Sequence, residues 1–190
     1  MRNTVLVLLC VLITGGLLGI AAPVAAQEEG HESILLYGPR VGVTYIMQSR
    51  DDFSEEMQSI FGGSQSYFPA FSDVGLAATH LIPLGETESY LAIEESLLLG
   101  GMDQQLLLPA VSLLVGVRTG FDSSLMLGPY VSTIGGSDGV ELRFSLAYAL
   151  SWSFEVRGIT LPVKFAFVPW PTYAKPKMTL TTGIDFEVVR

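Results

Sequence analysis

The chain has 190 residues, 49% of them hydrophobic, with a formal net charge of −9. That length suits a single domain. The acidic balance, with no cluster of Lys and Arg, excludes nucleic acid as a main partner. Cys10 is the one cysteine, so no disulfide framework or thiolate metal site is available.

The first element is a leader. Arg2 precedes an apolar run from Val5 to Ala22, Pro23 breaks it, and Val24-Ala25-Ala26 follows. A positive start, an apolar stretch and small residues at the end are the marks of a secretory signal peptide. The expected division is residues 1–26 as signal peptide and 27–190 as mature domain. Glu28, Glu29 and Glu32 after the cut favour cleavage over a permanent anchor. Cys10 leaves with the leader, and so does any prospect of a Cys nucleophile.

Beyond the leader the dominant period is two. Leu35 to Met47 places Leu35, Tyr37, Val41, Val43, Tyr45 and Met47 on one face. Gly38, Arg40, Gly42 and Thr44 take the other. Side chains alternate faces along a strand, so each such run is a strand with one apolar side. Asp52 to Ile60 is the one short helical candidate. A second strand spans about Asp73 to Ile82, with Val74, Leu76, Ala78 and Ile82 on its apolar face. Three more follow, from Tyr90 to Leu99, Leu106 to Arg118 and Ser124 to Thr133. The clearest is Val140 to Val156, where every even position is apolar or aromatic and every odd one small, polar or charged. Arg157-Gly158 has the position of a tight turn. Ile159 to Phe167 and Lys177 to Val188 complete eight strands.

Strands of about 10 residues match a tilted membrane crossing, which takes about 9–11. The non-apolar faces are rich in small residues, among them Gly38, Gly42, Ser145, Ala147, Ala149, Ser151 and Gly183. Such residues fit the inside of a narrow barrel. Connections alternate between long and short from the first strand onward, as they do in outer-membrane barrels. Trp152, Phe154 and Phe186 fall near one expected interface, Phe167 and Trp170 near the other. The expected fold is therefore all-β: an eight-stranded antiparallel up-and-down transmembrane β-barrel preceded by a cleaved signal peptide. Its expected place is a bacterial outer membrane.

On these residues the mature chain resembles the small outer-membrane barrels of the OmpA/OmpX type. The resemblance is architectural and covers residues 33 to 190. Its sharpest element is C-terminal. Thr181, Gly183, Phe186 and Val188 fit in order the assembly signal that the barrel-insertion machinery reads in such proteins. The chain departs from the family by ending on Val189-Arg190 rather than on an aromatic residue. The resemblance implies contact with outer-membrane lipid and with that machinery.

Several residues are candidates for a site. If the apolar faces meet lipid, Arg40, Asp73, Glu94, Arg118, Glu141, Arg143, Glu155, Lys164, Asp185 and Glu187 point inward. Mixed charges in a narrow bore should pair and plug it. His31 and His80 are the two histidines; His80 follows the apolar phase of its strand, which suits a lipid–water interface. No cofactor is expected, and two histidines without a mature cysteine argue against a transition-metal site. The first outer loop, with Asp51, Asp52, Phe53, Glu55, Glu56, Phe61, Tyr67, Phe68 and Phe71, is the candidate contact region for an extracellular partner. The expected function is a monomeric, non-enzymatic surface or structural barrel with a closed polar lumen. The alternatives are a lipid-modifying enzyme of the same membrane and a soluble periplasmic lipocalin-like barrel holding an apolar ligand.

Overall fold

The structure is a computed structural model. It describes residues 33–189 except 63, 86, 121, 137–138, 158 and 170–174; over 134–141 and at 189 it describes backbone alone. The expected signal peptide, His31 and Trp170 lie outside the described residues.

In chain order the elements are β1 (Ile34–Ile46), α1 (Arg50–Phe61), β2 (Ala70–Pro83), β3 (Tyr90–Gly100), a 3-10 turn (Met102–Gln104), β4 (Leu108–Arg118), β5 (Ser123–Gly136), β6 (Gly139–Val156), β7 (Ile159–Val168), β8 (Lys177–Gly183) and β9 (Phe186–Val189). Consecutive strands from β1 to β8 pair antiparallel, and β1 pairs with β2 on one side and with β8 and β9 on the other, so the sheet closes. Arg40 lies opposite Gly183 and Tyr37 opposite Phe186. The register is therefore unbroken from β8 to β9, and the two are one strand interrupted at Ile184-Asp185. The barrel has eight staves.

The alternation read from the sequence decides which face turns out. Leu76, Leu125, Leu127 and Phe144 are 61%, 68%, 53% and 72% exposed, whereas Ala77, Ala92, Met126, Ala147 and Ala149 on the opposite faces are buried. This orientation is the reverse of a lipocalin-like barrel, which turns its apolar faces inward. Small inward residues let eight strands curve tightly enough to close. Gly38 and Gly183 show the limit. A Cβ at Gly38 would stand 1.8 Å from the Ile184 carbonyl oxygen, and one at Gly183 would stand 2.0 Å from that of Pro39. The ladder loosens at this point, and the Asp185 N–H turns to the Thr160 carbonyl of β7 at 2.8 Å.

Several strands extend past their expected bounds, whereas β4 starts at Leu108 rather than Leu106. β2 begins at Ala70, because Tyr45 and Thr44 of β1 still pair with Ala70 and Phe71. β5 and β6 continue as a hairpin to Gly136 opposite Gly139, beyond the last β4 pair at Ser132 and the last β7 pair at Tyr148. Short connections between β2 and β3, β4 and β5, and β6 and β7 lie at the end where β1 starts and β9 finishes. The other end carries α1 and the 3-10 turn.

Candidate functional site: a bridged lumen under an outer cap

The bore is filled by side chains in tiers. Lys164 of β7 reaches Glu94 of β3 at 2.5 Å. In the closed order β3 and β7 stand four staves apart, so this ion pair spans the lumen. Both residues are buried, at 6% exposure. Beside it Arg40 of β1 holds Asp185 at 2.5 Å and donates to the Pro39 and Ile184 carbonyls, which ties the loosened last strand to its neighbour. Toward the α1 end, Asp73 accepts from the Thr44 hydroxyl at 2.6 Å, and Thr44 shares a 2.7 Å bond with Thr179. Lys177 of β8 donates to Ser132 at 2.9 Å and to the Tyr130 hydroxyl of β5 at 3.1 Å. What remains open among these groups includes two cavities of about 20 Å³ each, about the room a single water needs.

The remaining charges of the inward face stand nearer the ends. Arg118 pairs with Asp122 of the β4–β5 turn at 2.6 Å. Arg143 lies on the inward phase of β6 and is half-buried; Glu155 and Glu187 are exposed at the inner end. The side chain of Glu141 is outside the description. Lys177 was absent from the charged set taken from the sequence, although its odd position in Lys177 to Val188 already put it on the polar face.

The outer end is capped by the first loop. Ser49 accepts from the Asp52 N–H at 3.2 Å and starts α1; the Gly62 N–H closes it on the Gln58 carbonyl at 3.0 Å, with Gly62 at φ 76°. Asp51 and Asp52 stand in the first turn, where negative charge suits the helix dipole. Phe53 and Met57 on one side of α1 are each 1% exposed. They join Ile46, Tyr67, Phe71, Leu106 and Leu108 in one apolar cluster over the mouth. Gln104 of the 3-10 turn clamps the returning chain: its side chain accepts from the Phe68 N–H at 2.6 Å and donates to the Phe68 and Ala70 carbonyls. Asp103 accepts from the Ser72 N–H and hydroxyl. The Arg50 guanidinium lies 4.0 Å over the Phe68 ring.

This arrangement divides the candidate contact residues. Phe53, Tyr67 and Phe71 are buried in the cap. Asp51, Asp52 and Glu55 are exposed, with Phe61 at 40% and Phe68 at 47%. The assembly-signal residues also fall on two sides. Thr181 and Gly183 face the bore, whereas Phe186 and Val188 face out, with the Phe186 ring 5.9 Å from that of Tyr37. His80 points outward, as its phase predicts, and shares its face with Glu95 of β3. Sequence reasoning passed over Glu95 in favour of its inward neighbour Glu94. No group of three or more His, Cys, Asp or Glu able to hold a metal occurs among the described residues.

No family model and no curated protein matches the sequence. Solved structures do match. The attachment invasion locus protein Ail of Yersinia pestis aligns with 83% of this chain and 98% of its own, at TM-score 0.50 and 13% identity. The N-terminal β-barrel domain of OprF from Pseudomonas aeruginosa aligns with 83% of this chain and all of its own, at TM-score 0.39 and 11% identity. With its closed, eight-staved antiparallel wall, the chain has the fold of the small outer-membrane β-barrels.

Proposed function

We propose that this chain is exported, cleaved after residue 26 and inserted by the barrel-insertion machinery into a bacterial outer membrane. There it acts without catalysis, as a monomer in its basic form, and presents its capped outer end to an extracellular partner. The observation that carries this reading is the division of the wall: apolar side chains outside, and inside a bore crossed by the Lys164–Glu94 pair. A wall of that kind is stable with hydrocarbon around it, and a crossed bore passes no solute. The exposed cap is acidic and aromatic, through Asp51, Asp52, Glu55, Phe61 and Phe68, so the partner it fits carries cationic groups. Purified protein in a planar bilayer should show no steady conductance. Cells displaying Asp51→Asn/Asp52→Asn/Glu55→Gln should adhere several-fold less than wild type to a surface coated with a basic protein. A large steady conductance, or equal adhesion, would overturn the respective half.

The enzymatic reading draws on His80 and Glu95 sharing the outward face. Acyl transfer needs a nucleophile within reach of its base. Along the outward positions of β1 to β4 the one Ser, Thr or Cys is Ser72, eight residues from His80 on the same strand. The dyad therefore has no side-chain nucleophile beside it, and the non-catalytic reading is favoured.

A further inference from the structure

Among the described residues the buried charged side chains are Arg40, Lys164, Lys177, Asp73, Glu94 and Asp185. Acids and bases are equal in number, yet only two of the possible pairs are in contact, Arg40 with Asp185 and Lys164 with Glu94. Asp73 of β2 and Lys177 of β8 are left over. No ion pair joins them, although both line the cavity of about 20 Å³ beneath the outer cap. A buried charge without compensation is costly, so these two should answer each other. Each has bonding capacity to spare. Asp73 accepts at Oδ2 from the Thr44 hydroxyl, and among the described residues Oδ1 has no donor. Nor is Oδ1 sealed away: the fully covered side-chain oxygens without a partner are Glu95 Oε1 and Thr181 Oγ1. Asp73 Oδ1 therefore stays open to the cavity that Asp73 lines. The Lys177 ammonium has three protons to donate, and the Ser132 and Tyr130 hydroxyls take two of them. Ile46, Phe71 and Leu108 belong both to the cavity wall and to the apolar cluster of the cap, so the cap is the roof of this chamber.

We propose that this chamber is a binding site for a single water molecule, which donates to Asp73 Oδ1 and accepts from Lys177 Nζ. The third charge pair of the bore is then closed through water. The mixed chemistry of the site selects the occupant. The ligand must donate on one side and accept on the other. A metal cation would stand beside the ammonium, and an anion would stand beside the carboxylate. Water meets both demands, and it needs only about 10–15 Å³ of room and two to four polar partners. Deeper in the barrel the Lys164–Glu94 pair crosses the bore, so the bound water exchanges when the cap moves. The inference concerns the interior alone and holds whatever solvent surrounds the wall.

The test uses the whole barrel purified in detergent. In well-diffracting crystals one density peak should lie about 2.7–3.0 Å from both Asp73 Oδ1 and Lys177 Nζ. An empty cavity, or Lys177 in direct contact with Asp73, would overturn the proposal. So would a peak that gains anomalous signal in crystals grown from rubidium or bromide salts, because that marks an ion. A second arm works in solution, where oxygen-17 relaxation dispersion detects water held for long times inside a protein. Asp73→Leu/Lys177→Met should lose one such water relative to wild type. The double change removes both charges together and leaves neither unpaired, so the barrel should still fold; if it does not, the crystal decides alone. Phe53→Ala opens the roof and should shorten the residence of the water several-fold while the site itself stays intact. A double variant that keeps the full complement of long-lived water would overturn the bridge. A residence time indifferent to Phe53→Ala would overturn the cap as its seal.

Discussion

Lys164 and Glu94 meet across the full width of the bore, so each is the partner the other needs to be ionised inside protein. Removing one charge of a buried pair leaves the other uncompensated and costs about 3–5 kcal/mol, whereas replacing both by apolar residues is often neutral. Lys164→Met should therefore destabilise the barrel by about that amount in urea unfolding from detergent, and Lys164→Met/Glu94→Leu should recover most of it. Additive losses in the double variant would show that the two do not act as a pair. Strand parity alone places Arg40, Asp73, Glu94, Lys164 and Asp185 inside. Parity cannot say who meets whom, because Lys164 and Glu94 are 70 residues apart in sequence and are brought together by closure. Nor does it say how far from an end a charge lies, which is why Glu155 shares the inward phase yet is exposed.

At the scale of the element, α1 and the last strand show where local pattern suffices and where it does not. Ser49 and the acidic first turn mark a helix start in the sequence. What fixes α1, however, is Phe53 and Met57 entering the mouth of a barrel that does not exist until the chain closes. Phe53→Ala should cost about 3–5 kcal/mol, the usual loss for a buried aromatic. Limited proteolysis of the outer loop in intact cells should accelerate in step; an unchanged cleavage rate would mean that the cap is held by the Gln104 clamp alone. The last strand was legible in phase and in bounds, but its break at Ile184-Asp185 was not, because the alternation of side chains runs through it unchanged. Close against Pro39, Gly183 has a packing role apart from any part in targeting. Gly183→Ala should lower stability of protein refolded in detergent, where the insertion machinery plays no part. A loss confined to cells would assign the glycine to recognition only.

The whole molecule is a sheet whose two faces see different solvents, and this is why so much of it could be read from one dimension. A period of two sorts each residue to one face, and the eight segments share one assignment without conflict. The sequence does not carry the interior pairing or the tertiary fit of the cap, since both depend on residues far apart in the chain. The orientation of the wall can be tested at Leu127. This residue is 53% exposed, lies mid-strand on β5, and faces outward between Val115 of β4 and Tyr148 of β6. In a bilayer, Arg at the midplane of the lipid face costs about 2–4 kcal/mol. On a water-facing wall the same change is nearly neutral and removes an exposed apolar group. Leu127→Arg should thus lower stability by about 2–4 kcal/mol in vesicles, and Leu127→Trp should be quenched by brominated acyl chains. If Leu127→Arg proves neutral in vesicles while Leu127→Trp escapes quenching in a folded barrel, the apolar wall does not face lipid.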